Sequence, residues 1–227
     1  MKPSSKDSRR QIMEYLKQHG EGSAGEVAEH LHITREGARQ QLKQLEDEGW
    51  IVRTAAGGTE GVGRPAIGFR ITPAGDHLFP KNYDKLSLTL VDTVAEHFGQ
   101  PALIKLLSAI TDQQVKQWEP RLKGKTLAQR IKALKGIYFE EDPHTSVKKD
   151  ARGYVLVERN CPYLTVAMRR PQLCSVTLCT LTRLLGVRVV REERFQDGDR
   201  RCVFRVLEDS PVDVTMFGFE LEPQPAG

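Results

Sequence analysis

The stretch from Ala24 to Trp50 constrains the chain most, because it sets a short helical pattern, an abrupt turn and a longer helical pattern in one run. Residues 24–31 (AGEVAEHL) place Val27, Ala28 and Leu31 at helical spacing, and His32-Ile33 then reads as a tight turn. Thr34 is the expected N-cap of the next helix, TREGARQQLKQLEDEGW. Within it Ala38, Leu42 and Leu45 recur at i, i+4, i+7 and face inward. Two helices joined by so few residues must pack across a shared core. A preceding helix at residues 8–19, with Ile12, Met13, Leu16 and nearby Tyr15 as its stripe, ends at Gly20.

The other side of the third helix has different chemistry. Arg35, Arg39 and Lys43 form an i, i+4, i+8 row, with Gln40 and Gln44 beside it and Glu46, Asp47 and Glu48 at the far end. A cationic, amide-rich face near a helix start suits phosphate contacts and hydrogen bonds to base edges. A hairpin is expected next: Trp50 to Thr54 is one strand, and Ile67, Phe69 and Ile71 alternate inward on the second. Between them lies the loop AAGGTEGVGRPA, which lacks the G-x-x-x-x-G-K-[ST] pattern of a nucleotide cradle. This layout resembles the winged helix-turn-helix of bacterial transcription regulators over about residues 8–76. The resemblance implies a helix in the major groove and a hairpin wing on backbone or minor groove. The expected contacts to double-stranded DNA are Thr34, Arg35, Arg39, Gln40 and Lys43, with Arg64 on the wing. His30 and His32, at i and i+2, do not share a helical face and read as turn residues rather than metal ligands.

Bulk charge adds nothing to that argument. Residues 1–80 hold 11 basic and 11 acidic side chains, although the 227-residue chain carries a net +4. The excess lies later, 14 against 10 in residues 81–160 and 9 against 4 in residues 161–207, before an acidic end with 0 against 5. No apolar run reaches membrane-spanning length, and MKPSSKDSRRQ has no signal-peptide core, so the expectation is a soluble cytoplasmic protein with reduced thiols.

Three further segments follow. Residues 81–140 read as a helical connector: Leu86, Leu90, Val94 and Phe98 mark one helix ended by Gly99, a second covers 102–110, and 111–138 are largely helical with interruptions at Pro120 and Gly124. Such connectors commonly hold two DNA readers at fixed spacing, so a homodimer is expected. Residues 141–210 read as an α+β unit, with a hairpin at 145–159, helices at 161–170 and 173–185, and two closing strands. Residues 211–227 are a tail whose final few residues are expected to be disordered. The fold class is therefore α+β, with a winged helix-turn-helix over residues 1–80, a connector and a C-terminal sensor unit.

All four cysteines fall in that last unit. Cys161, Cys174 and Cys202 follow the spacing C-x12-C-x27-C and come from a helix entry, a helix start and a strand entry. Cys179 lies five residues after Cys174, about 140° around a helix, and should point elsewhere. Three thiols converging from separate elements suit a metal or cluster better than a disulfide. Of the paired spacings zinc usually takes, only Cys174-x4-Cys179 fits and helix geometry argues against that pair, whereas iron–sulfur clusters accept dispersed thiolates. Cys174 at a helix start should be favoured as thiolate, and Arg169, Arg170, Arg183, Arg200 and Arg201 add positive charge nearby in sequence.

Over about residues 8–207 the chain resembles SufR-like winged-helix regulators, on GRPA-x4-IT and on NCPY, VA, P-x-LC, LLG-V and GDRRC-x-F-R-V. The resemblance implies a repressor whose cysteines Cys161, Cys174 and Cys202 hold a [4Fe–4S] or [2Fe–2S] cluster that tunes DNA binding. The family pattern often places Cys or His where this chain has Arg194, which leaves the fourth ligand to Cys179, another group or none. The C-terminal unit also resembles 4-vinyl-reductase-type ligand-binding domains, which keeps a regulator sensing a small ligand, zinc or thiol oxidation as the alternative. No Ser/His/Asp arrangement or nucleotide loop is present, so the chain is not expected to be an enzyme.

Overall fold

A computed structural model describes residues 5–55 and 67–223. Arg64 and the chain's last residues, expected as a wing contact and a disordered end, lie outside the described residues. The chain divides into two compact units, Met1–Lys81 and Asn82–Gly227.

The first unit runs α1 (Ser5–His19), β1 (Glu21–Ser23), α2 (Ala24–Leu31), α3 (Arg35–Asp47), β2 (Ile51–Ala55), β3 (Ile67–Ile71) and α4 (Pro73–Asp76). Local chemistry sets each boundary. Ser23 and Glu26 close a capping box on α2, and the left-handed His32 (φ 55°) ends it. Thr34 caps α3 by accepting from the Gly37 amide at 3.1 Å. Ile12, Leu16, Val27, Ala38, Leu42, Leu45 and Ile51 form the core, with Phe69 at its edge. The sheet order is β1-β3-β2, antiparallel throughout.

Residues 21–23, to which the sequence assigns no element, form the third strand; it is too short to show alternation and depends on pairing with β3. Ile67 is 44% exposed rather than inward, because the ladder there has run past the core that buries Phe69.

The second unit opens with α5 (Tyr83–Phe98), α6 (Gln100–Leu122) and α7 (Leu127–Glu141). It continues through β4 (Ser146–Asp150), β5 (Gly153–Glu158), α8 (Leu164–Ala167), α9 (Cys174–Leu185), β6 (Val187–Glu193) and β7 (Cys202–Pro211). The four strands are antiparallel in the order β4-β5-β7-β6. Leu156, Cys202, Phe204, Val206 and Val189 look onto one face, where α6, α7 and α9 cover them through Trp118, Leu122, Ile131, Leu134 and Leu181. Val155, Val157 and Val203 cluster separately. The alternation along β5 and β7 is the ordinary consequence of a two-residue repeat.

The helices differ from expectation in three ways. No break separates 110 from 111: α6 is one helix of 23 residues, and Pro120 sits in its final turn, where it takes the i→i−4 donor from the Lys116 carbonyl without ending the helix before Leu122. The helix expected at 161–170 shrinks to the four residues of α8 followed by a 3₁₀ turn at Pro171–Leu173. On α5 the residues that pack inward are Val91, Val94 and Ala95, whereas Leu86, Leu90 and Phe98 are 58%, 56% and 71% exposed.

Candidate nucleic-acid interface and thiol pocket

The helix-turn-helix positions α3 through its buried row, so its outer row is left to solvent. Thr34, Arg35, Arg39, Gln40 and Lys43 are all exposed. Arg39 lies 3.5 Å from Glu36 and Lys43 2.8 Å from Asp47, each a surface ion pair along α3. Such pairs are weak, so both cations can exchange a carboxylate for a phosphate. Behind the row, α3 ends against the sheet, where Arg53 pairs with Glu46 and Trp50 donates to Glu48.

In the second unit, one pocket brings together three of the four cysteines. Cys161, Cys174 and Cys202 line it with Glu158, Tyr163, Leu164, Thr177, Arg191 and Gln196. Cys161 enters from the turn after β5, Cys174 is the first residue of α9, and Cys202 is the first of β7. The sulfurs receive hydrogen bonds: the Gln196 amide donates to Cys174 Sγ at 2.9 Å, the Tyr163 amide to Cys161 and the Phe195 amide to Cys202.

Burial dominates their acidity. The Cys161 thiol is pushed up to about 12 by burial, then by Glu158 and the neighbouring thiols. Cys174 and Cys202 are also pushed up by burial, and Arg191 opposes the shift at both. At the start of α9, where a thiolate was expected, burial outweighs the Arg191 charge and the Gln196 hydrogen bond and favours the thiol of Cys174.

Sequence reading missed the charged groups of this pocket. Arg191 has 4% of its side chain exposed, holds Glu222 at 2.8 Å and donates to the Cys174 carbonyl at 3.0 Å. Its guanidinium lies 4.5 Å from the Phe204 ring centre. The signal was available, since Val187, Val189 and Arg191 alternate on one strand and a charge in register with core valines must be paired. The arginines singled out instead have other partners: Arg170 pairs with Asp92, Arg183 with Asp112 and Arg201 with Glu193. Arg169 and Arg200 are exposed.

Cys179 lies outside the pocket. Its Sγ donates to the Glu220 carbonyl at 3.3 Å, as expected from its rotation away from Cys174 on α9. Arg194 serves the loop and tail, donating to Asp197 at 2.8 Å, to Asp199 from its amide at 3.0 Å and to the Pro223 carbonyl at 3.1 Å.

The pocket's donor set fits an iron–sulfur cluster: three thiols, amide donors to each sulfur and a buried cation to offset thiolate charge. The Gln196 side-chain oxygen is buried in the wall with no hydrogen-bond partner. The free space within it, about 20 Å³, matches one water molecule, so a cluster would fit only if the walls parted. Its outer wall, Tyr163 and Leu164, is 53% and 39% exposed. Among the described residues no group of three or more His, Cys, Asp and Glu is placed to hold a single metal ion.

Residues 9–60 match the family model of the DeoR-like helix-turn-helix domain. The first unit is thus a DNA-binding module of the kind transcription regulators carry. The match ends before the second unit, whose reading rests on its own residues. No curated protein and no solved structure matches the chain. No described helix is long and apolar enough to cross a membrane.

Proposed function

We propose that the chain is a homodimeric transcription regulator, acting as a repressor, whose operator affinity is controlled by an iron–sulfur cluster held by Cys161, Cys174 and Cys202. The observation that carries this reading is the convergence of these thiols, separated by 12 and 27 residues, on one pocket with buried Arg191. When bound, such a cluster supplies a redox- and oxygen-labile group. The chain's own residues would hold it: the amides of Gln196, Tyr163 and Phe195 donate to the sulfurs of Cys174, Cys161 and Cys202, and Arg191 would balance the thiolate charge. Cluster state and DNA must then bias each other reciprocally.

Pairing is supported by the outer face of α5. Tyr83, Leu86, Leu90 and Phe98 are all more than half exposed, yet fall within about 120° of one another on the helix. Leu86→Glu with Leu90→Glu should convert the dimer to monomer by sedimentation. The test of the whole reading is anaerobic purification with iron and sulfide analysis, followed by operator binding before and after oxidation. A colourless, iron-free protein that still releases its operator on signal would overturn the cluster.

A second reading, a regulator sensing a small ligand, has its own support. A cavity of about 480 Å³ opens beside α6, α7 and α9, lined by Val115, Leu122, Leu184 and Val212 with Arg130 and Arg183. That size suits a small molecule, and the cations suit an organic anion. Under this reading, Cys161→Ser with Cys202→Ser leaves operator release unchanged.

A further inference from the structure

Iron–sulfur clusters of these types take four protein donors as a rule, and the pocket supplies three thiols. Cys179 faces Glu220 instead, and Arg194 is committed to Asp197, Asp199 and Pro223. We propose that the Glu158 carboxylate, which the β5–β7 register sets beside Cys202 at the rim of the three-thiol pocket, is the fourth ligand of the cluster. This rests on the cluster reading given above.

The strand geometry is the first support. Glu158 and Cys202 are directly paired residues on neighbouring antiparallel strands, so their side chains leave the sheet on the same face. Two residues back, the pair Leu156 and Phe204 lies in the helix-covered core, which identifies that face. Glu158 is 8% exposed and lines the pocket with Cys161, Cys174 and Cys202.

Among the other polar side chains of the wall, Arg191 is a cation and Gln196 already holds the Cys174 sulfur, while Thr177 and Tyr163 are neutral hydroxyls. Glu158 is the anionic oxygen donor of the set.

On loading, each thiol sulfur bonds iron as its proton passes to solvent, and a carboxylate oxygen takes the remaining iron site. An oxygen ligand is harder than thiolate and suits iron–sulfur iron less well. That corner of the cluster is then the one that opens first.

The test uses the full chain, reconstituted anaerobically with ferrous iron and sulfide, in wild-type, Glu158→Gln, Glu158→Cys and Cys161→Ser/Cys202→Ser forms. Far-UV circular dichroism and urea midpoints establish folding, and Glu158→Asp replaces the glutamine variant if that one is unfolded. Wild type should bind iron and sulfide that the double serine variant does not. Glu158→Gln should lose iron to a chelator about tenfold faster or more, since even outer-shell changes cost about 10–100-fold. Its reduced-cluster electron paramagnetic resonance spectrum should shift. Glu158→Cys should hold iron at least as long as wild type. A glutamine variant that matches wild type in retention and spectrum overturns Glu158 as a ligand and leaves the cluster standing. A wild type that takes up no more iron than the double serine variant overturns the cluster, and the fourth ligand with it.

Discussion

Replacing Lys43 by alanine tests the outer row of α3 without knowledge of an operator. Lys43 has 66% of its side chain exposed and, among the described residues, is tied only to Asp47, 2.8 Å away. An exposed i, i+4 pair of this kind is worth about 0.3–0.5 kcal/mol, so giving it up costs little. A phosphate contact, by contrast, releases a counterion and adds about 0.9 to the slope of log K against log salt. Between about 50 and 200 mM salt, roughly 0.6 in log units, one lost contact changes the salt sensitivity about 3.5-fold. If two copies bind one duplex, both lose the contact. The slope then falls by about 1.8, and the sensitivity changes about 12-fold. Fluorescence anisotropy on a mixed-sequence duplex, titrated with NaCl, reads both quantities. Arg39→Ala should behave alike, because among the described residues Arg39 is held only by Glu36 at 3.5 Å. Asp47→Asn should tighten binding about twofold by freeing Lys43. Equal slopes for wild type, Lys43→Ala and Arg39→Ala, all folded, would refute the argument and make the row an ordinary solvated face.

Three further outcomes follow from packing and charge. A Cβ on Gly75 would lie 2.0 Å from the Trp50 carbonyl oxygen, a backbone atom that cannot step aside; Gly75→Ala should destabilise the first unit by about 3 kcal/mol, read from its urea midpoint. Arg191→Met strips Glu222 of a nearly buried ion-pair partner and should cost about 3 kcal/mol, with faster proteolysis within residues 212–223. Burial raises the Asp142 carboxyl, but hydrogen bonds from the His144 amide, Thr145 hydroxyl and Asn160 amide outweigh it and hold the group below its ordinary value. Its stabilisation is therefore complete above the unfolded value of about 3.9 and is lost as pH falls through the folded one. Asp142→Asn should be weaker than wild type at neutral pH, and the gap should close in acid.

What the sequence made legible was whatever depends on helical repeats and caps. Thr34, His32 and the row Ala38, Leu42, Leu45 occupy the places their spacing implied. What it hid depends on pairing across distance. Residues 21–23 carry no strand signal of their own, and α5 packs through Val91 and Ala95 because α6 returns against that side rather than against Leu86. The thiol pocket divides the same way. Three cysteines announce themselves by type and confinement, while Glu158 and Arg191 read as routine strand charges until register sets one beside Cys202 and the other beside Phe204.

A sensor must also move something, and the segment between Cys161 and Cys174 touches the connector directly. Arg170, four residues before Cys174, makes a two-pronged bond to Asp92 on α5, with Nη2 to Oδ2 at 2.7 Å. Nearby, Leu103 and Leu107 of α6 pack with Val176 of α9, and Val91 and Val94 of α5 close the cluster. A pocket that widens on loading must shift this segment, and α5 is where the proposed dimer contact lies. Proximity alone does not establish coupling, so the pair should be cut. Arg170→Gln and Asp92→Asn, singly and together, should leave the affinity of the metal-free protein for DNA within about twofold, because both residues belong to the second unit and not to the DNA-binding module. The difference between loaded and metal-free affinities should shrink by about 0.5–2 kcal/mol in each. The double variant should lose no more than the singles, as expected of one shared interaction. If all three keep the full difference, the signal leaves the pocket by another route, and the shared α6–α9 packing becomes the element to test.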